Sequence, residues 1–288
     1  MNFAIPTKQP FSFAQTLAFI RRFPPCQGDY VLDADTLTAA IAVDDRAVPF
    51  TLRGDHTLVC ETELPEVAQR AADFVGASDD LTEFYAAARG DRPFRPLADL
   101  LTGLHHVRFL SLEEIAVYAI MMQRNPITRA SRMKRAFLDR FGIPVAAGGR
   151  TLRAMPRFPA LLRLDPSAIG QVIGHPRKGE QIGVAIRGVA AIGEARLREA
   201  PYGEARDALL EIPGIGPFSA AAILLRGLGR MDELPEVMPG LDDTARTIYG
   251  DRYDPAAIAK RYGRTIGYWS YYLKTGVPRL EAMATCAA

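Results

Sequence analysis

The stretch Leu210–Arg230, LEIPGIGPFSAAAILLRGLGR, sets a glycine-punctuated turn between two apolar helical runs. Gly214 and Gly216 can take positive φ and carry no Cβ, so their amides can approach a ligand closely. Those amides also stand at the start of the following helix, where the macrodipole favours an anion. Pro217 suits a first helical turn. A phosphate therefore fits this turn without any charged side chain. A bare GxG can equally be a corner that merely packs. Here it is followed by Phe218, Ser219 and the small Ala220, Ala221 and Ala222, which let another helix approach closely. A second constellation is basic. Gln123 to Arg140 carries Arg124, Arg129, Arg132, Lys134, Arg135 and Arg140 against Asp139 alone; taken by itself, such a run reads as a solvated helix face. A third is acidic: Asp232, Glu236, Asp242 and Asp243 lie beyond the hairpin.

Other chemistry is less well provided for. Cys26, Cys60 and Cys286 form no zinc spacing and are too few for an iron–sulfur cluster. His56, His105, His106 and His175 make no ligand pattern. The chain of 288 residues is 48% hydrophobic and 24% charged, which suits a folded core. Its net charge of +2 does not by itself point to nucleic acid; the distribution of charge says more. No apolar run is long enough to span a membrane, and MNFAIPTKQPFSF lacks the pattern of a signal peptide. The cytoplasm is the expected compartment.

The elements that must position these groups follow from periodicity. Phe11 to Phe23 reads as a short helix. Residues 29–64 alternate apolar and polar between Asp-Asp and Gly-Asp turns, as in an antiparallel sheet. Ala68 to Ala87 reads as one helix, and RGDRPFRPL as a joint. From Leu104 the chain reads as helical. Ser111-Leu-Glu-Glu114 is a capping box, and Asn125-Pro126 ends that helix. A helix over Thr128–Phe141 stops at Gly142, and residues 142–166 read as a loop. Further helices are expected around Ile182–Val189, at Glu204–Leu210 and Pro217–Leu228 flanking the hairpin, and over Pro255–Thr275. The expected fold class is α+β: a small antiparallel β-rich unit over residues 1–103, then an all-helical unit over 104–288.

Leu210 to Arg230 resembles the helix-hairpin-helix of the base-excision DNA glycosylases (the HhH-GPD superfamily), and most of all the bacterial 3-methyladenine-DNA glycosylase II group. RFLSLEEIAVYAIMMQRNPITRASRMKRAFLDRFG, the RFP at Arg157–Pro159 and GRTIGYWSYYLK at Gly263–Lys274 are similar in kind to that group. The likeness covers about two thirds of the chain well and the first hundred residues only loosely.

The resemblance implies a set of roles. The hairpin around Gly214, Ile215, Gly216 and Ser219 would bind DNA phosphate, with Na⁺ or K⁺ held on the carbonyls of Leu210, Ile212 and Ile215. Arg124, between Gln123 and Asn125 at the DNA, would be the wedge that fills the gap left by an extruded base. Phe218, Met238, Tyr268 and Trp269 would line the base pocket. Where lyase-type relatives carry a catalytic lysine this chain has Phe218, which cannot form a Schiff base. An aromatic wall there suits electron-poor alkylated purines, whose positive charge already weakens the glycosidic bond.

The same resemblance calls for one aspartate that stabilises the oxocarbenium-like sugar. Counting from the hairpin and from Ile248–Gly250 both place that position on Met238. Asp242 lies one turn further on and is the candidate replacement, with Glu236 as another. The implied function is a monofunctional, monomeric DNA glycosylase acting at the nucleoid on duplex carrying a damaged base, with no membrane partner. A catalytically weak or inactive relative that binds bent or damaged DNA is the alternative. A helical protein–protein module that reuses the hairpin is a third possibility.

Overall fold

The computed structural model describes the chain except Gln27, Asp55, His56, residues 235–237, Pro239 and Ala288, together with the side chains of Cys26, Ala284, Cys286 and Ala287. Glu236 and His56 therefore lie outside the described residues. Strand β1 (Asn2–Ile5), helix α1 (Phe13–Ile20), strands β2 (Val31–Leu32), β3 (Thr36–Val43), β4 (Arg46–Arg53) and β5 (Leu58–Thr62), and helix α2 (Pro65–Phe74) open the chain. The strands form one antiparallel sheet in the order β1-β5-β4-β3-β2. Alternation explains its inner face: Leu37, Ala39 and Ile41 of β3 pack with Val48, Phe50 and Leu52 of β4 against α1 and α2.

Helices α3 (Thr82–Arg89) and α4 (Arg95–Leu100) follow. The single helix expected over 68–87 is thus two. Its interior breaks at Gly76, whose φ of +64° leaves the helical region, and Asp80 accepts from the Thr82 N–H at 2.9 Å to start α3. Then come α5 (Leu112–Met122), α6 (Ile127–Phe141), strands β6 (Ile143–Ala147) and β7 (Arg150–Ala154), α7 (Phe158–Leu161), α8 (Pro166–Val172), α9 (Pro176–Ile192), α10 (Glu194–Glu199), α11 (Tyr202–Leu210) and α12 (Pro217–Ala222). Helix α12 runs on as a π turn over Ile223–Gly227. The last three are α13 (Leu241–Tyr249), α14 (Pro255–Tyr262) and α15 (Ile266–Ala287).

The fold is the expected α+β one, an antiparallel sheet of five strands followed by a helical region. One detail differs: the supposed loop after Gly142 is the hairpin β6–β7, closed by Gly148 and Gly149 at φ +57° and +72°. Two consecutive positive φ values are what a two-residue hairpin turn with the right twist requires. Its Leu152 and Ala154 pack on Ala40 and Ala42, the outer face of β3. The hydrophobic packing runs across residues 103/104. Leu81, Phe84, Phe94, Leu97, Leu101 and Leu104 belong to one core with α13–α15, while α5–α12 form another.

The C-terminal core is rich in phenols. Burial pushes the hydroxyls of Tyr249, Tyr262, Tyr268 and Tyr272 well above the usual tyrosine value, and raises that of Tyr202 to about 12. In the unfolded chain these groups ionise near pH ~10. A proton held more tightly by the folded state stabilises it below that pH and ceases to do so as pH rises through the folded value. Stability should therefore fall steeply from about pH 10 upward. Denaturant midpoints measured alongside phenolate absorbance would check this; an unchanged midpoint across that window would contradict it.

Candidate nucleic-acid interface and base cavity

The turn between α11 and α12 is built as its composition dictates. Ile212 and Ile215 point inward, 7% and 4% exposed, and the Ile215 N–H donates to the Ile212 carbonyl at 3.0 Å. Gly214 takes a φ of +89°. Gly216 does not: its φ of −99° and ψ of −178° are extended backbone that any residue adopts. It caps α12 without a side-chain bond, so the first-turn N–H groups have no intrahelical acceptor. No atom beyond its chain neighbours lies within 4 Å of a Cβ built on Gly216. The turn thus presents bare main chain to open space.

The corner between α5 and α6 is tied to this turn. Gln123 Nε2 donates to the Gly214 carbonyl at 2.7 Å and to Ser219 Oγ at 2.9 Å. Ser219 is 1% exposed. Gln123 and Ser219, both expected at the DNA, thus brace the hairpin turn. Asn125 Nδ2 donates back to the Met121 carbonyl at 2.8 Å, closing the end of α5. Between them Arg124 is exposed and held at a φ of +53°, unusual for a non-glycine residue. Lys178 on α9 supplies the remaining tie. Its Nζ donates to the carbonyls of Ile120 and Gln123 at 2.7 and 2.8 Å, satisfying two of the acceptors that a helix end leaves open. Burial, then the charges of Arg129 and Arg124, hold its ammonium below the usual lysine value.

The capping box starts α5. Ser111 Oγ accepts from the Glu114 N–H at 3.2 Å, while Glu114 reaches the Leu110 N–H, one residue earlier than the motif predicts. Its neighbour Glu113, 1% exposed, pairs with Arg157 at 3.1 Å and accepts from the Phe158 N–H, which is the structural task of the RFP segment.

Beside the hairpin lies a cavity of about 200 Å³ at the seam between the cores. Phe218, Ala221, Ala222, Leu225 and Arg226 form one wall, at i, i+3, i+4, i+7 and i+8 along a single helical face. Ile115, Tyr118, Ala119 and Met122 of α5 form the facing wall, with Phe23, Pro25, Phe109, Ile127 and Met238 around them. Phe218 is 36% exposed, open enough to meet a ligand. Phe218 and Met238 both line this cavity.

Three other assignments are corrected. Trp269 is 1% exposed in the C-terminal core; its indole donates to Tyr249 Oη at 3.0 Å, and Tyr249 and Tyr262 both donate to the buried Asp91. Tyr268 donates to Asp79 at 2.5 Å. Neither Tyr268 nor Trp269 lines the cavity; their ring area is consumed in joining α15 to residues 79–91. Asp242 is exposed, accepts from Tyr253 Oη at 2.9 Å, and is not among the cavity's residues. Burial, with Asp242 beside it, pushes the Tyr253 phenol up to about 12. Asp232 is paired with Arg230, and Asp243 is exposed. No described residue lining the cavity is a carboxylate.

Two cations that periodicity did not single out stand at the cavity's edges. Arg226 stacks over Phe23, its guanidinium carbon 4.4 Å from the ring centre, and donates to His106 Nε2 at 3.0 Å. Burial, then Arg226 and Arg108, hold His106 well below its usual value, so it accepts as a neutral ring. Lys134, counted with the solvated basic face, is in fact 2% exposed. It pairs with Glu114 and with Asp29 (2.6 Å), and lies 5.3 and 5.9 Å from the centres of Phe109 and Tyr118. Arg129, Arg132, Arg135 and Arg140 do remain exposed on α6. Among the described residues, no helix is long and apolar enough to cross a membrane.

No family model matches the chain. DNA-3-methyladenine glycosylase of Bacillus subtilis is 24% identical over 196 residues, 67% of this chain and 64% of that protein, so the chain spans rather less than two thirds of that relative's length. Among solved structures, a 3-methyladenine DNA-glycosylase from Archaeoglobus fulgidus superposes with a TM-score of 0.77 at 21% identity, covering 95% of this chain and 96% of that one. A structure described as MBOgg1 in complex with a low affinity DNA ligand gives 0.75 at 21%, covering 97% and 96%. The 8-oxoguanine glycosylase/lyase of Clostridium acetobutylicum gives 0.64 at 13%, covering 86% and 98%. The fold is therefore the one these proteins share, and the names they carry are those of 3-methyladenine and 8-oxoguanine glycosylases.

Proposed function

We propose that the chain is a monofunctional DNA glycosylase of base excision repair, acting as a monomer in the cytoplasm on duplex that carries an alkylated purine. The observation that carries this reading is the cavity walled by Phe218 and Met238, one helix face away from the bare hairpin turn. The amides of that turn would hold a phosphate. Arg124 would enter the stack as the base leaves it, and the extruded base would lie against Phe218. Hydrolysis would break the bond between C1′ and the base nitrogen, the electron pair leaving with the base and water supplying the new oxygen at C1′. No lysine lines the cavity among its described residues, so a covalent amine intermediate plays no part. Na⁺ or K⁺ on the carbonyls of Leu210, Ile212 and Ile215 would add positive charge beside the phosphate. The Ile212 oxygen already closes the turn, but a carbonyl keeps a second lone pair.

The carboxylate-free wall favours a second reading, in which the chain extrudes or probes a base without releasing it. Base release from duplex carrying 3-methyladenine, 7-methylguanine, hypoxanthine or uracil separates the two. The first reading expects a free base, an intact strand and no borohydride-trapped adduct. Duplex binding with no release of any base would establish the second.

The anchor has its own test. Gly216→Ala should leave stability within about 0.5 kcal/mol, because the backbone there suits any residue and the added Cβ meets nothing. It should weaken duplex binding about tenfold at fixed salt, by keeping the phosphate away from the amides. Unchanged affinity would remove the hairpin from the interface.

A further inference from the structure

Arg124 stands in the left-handed region although it is not glycine, at a φ of +53°. Its neighbours show how it comes to be there. Gln123 has φ −55° and ψ 120°, and the Asn125 N–H donates to the Met122 carbonyl at 3.1 Å. Residues 122–125 thus have the shape of a type II turn, with Arg124 at the position that ordinarily takes glycine. A type I turn would return Arg124 to negative φ, and the two forms differ by a flip of the peptide between Gln123 and Arg124. The oxygen of that peptide is the Gln123 carbonyl, to which Lys178 Nζ donates at 2.8 Å. A second donation, to the Ile120 carbonyl at 2.7 Å, fixes the ammonium itself. The root of the side chain is fixed too. A Cβ built on Gly179 would overlap the backbone of Pro166 and Gly170, so α8 and α9 meet main chain to main chain beside Lys178. Lys178 is 6% exposed, so it acts through the turn rather than on a ligand. We infer that Lys178 is a positioning residue for base extrusion: by holding the Gln123 carbonyl it keeps the turn in its strained form and Arg124 in the left-handed conformation. Without that bond the peptide flips, and Arg124 no longer leaves the turn in the direction that would carry it into the base stack. The inference rests on the proposed function only for Arg124 entering the stack.

The test separates duplex binding from extrusion. The probe is a duplex with a single 2-aminopurine opposite cytosine. Its fluorescence rises when the base leaves the stack, while the anisotropy of an end label reports binding by the full chain. One hydrogen bond from a charged donor is worth about tenfold or more in an equilibrium. Lys178→Met should therefore lower the extrusion constant about tenfold, and duplex affinity at fixed salt by no more than about threefold. Arg124→Ala should lower extrusion by at least as much. Once that side chain is gone the turn has nothing to present, so the double variant should extrude no worse than Arg124→Ala alone. A general loss of packing would instead add to the Arg124 effect. If Lys178→Met does not fold, Lys178→Gln, uncharged and shorter by one bond, decides in its place. Unchanged extrusion in the lysine variant, losses that add in the double variant, a fall in binding as large as that in extrusion, or a parent protein that leaves the probe dark would each overturn the inference. Extrusion that depends on Lys178 and Arg124, with no release of any damaged base, would sink the glycosylase reading alone.

Discussion

Lys134→Met should lower the unfolding free energy by about 3–5 kcal/mol, the range for breaking a buried ion pair from one side. Lys134 is 2% exposed and holds Glu114, Asp29 and the Pro25 carbonyl together. Methionine fills similar space but strands two acids, one of them 4% exposed. Burial already holds the Glu114 carboxyl above its usual value even with Lys134 against it, and loss of the ammonium raises it further. The sign of the pH dependence follows. A carboxyl whose folded value is raised favours the folded state below its unfolded value, near ~4.3, and ceases to do so as pH climbs through the folded one. The gap between variant and parent should thus be small in acid and widest at neutral pH. Glu114→Gln in the same background should recover part of the loss. Denaturant titrations at several pH values would measure all three; a pH-independent gap would mean that lost packing, not stranded charge, is the cause.

Met238→Asp should raise the single-turnover rate of base release on the order of 10²–10³-fold, the scale of one well-placed group that stabilises developing charge. Met238 lines the cavity, and under the proposed function a carboxylate there would stand beside the sugar of an extruded nucleotide. Its apolar neighbours would push the new carboxyl's pKa up, and Arg226 on the same cavity would oppose that. Activity should therefore rise with pH through a single ionisation. A variant that binds duplex as the parent does and releases base no faster would show that the missing acid is not what limits the chemistry.

Much of this architecture was legible in the residues. The alternation in 29–64 gave the sheet, the S-x-x-E box gave the start of α5, and the IPGIG turn gave the hairpin between α11 and α12. What escaped has physical causes. The Gly148-Gly149 pair is a hairpin signal, but its flanking strands bear alanine and arginine where larger apolar residues would have announced them. Lys134 sits among arginines, and charge alone does not tell a buried ammonium from a solvated one; only the Glu114 and Asp29 that meet it in space do so. Arg226 was readable, since it extends the stripe from Phe218 by eight positions. Trp269 and Tyr268 were drawn to the pocket because aromatics on a last helix can serve either purpose. Asp91, 178 positions before Trp269, decides it, and no local pattern joins them.

The ties from Lys178 through the end of α5 to Gln123 and the Gly214 carbonyl make Arg124 and the hairpin a single stiff part. Under the proposed function such a part would meet a helix of DNA without rearrangement, so little conformational entropy would be lost at the encounter. Sampling each step along the duplex could then be quick, with the length of stay set by whether a nucleotide yields rather than by how fast the protein adapts.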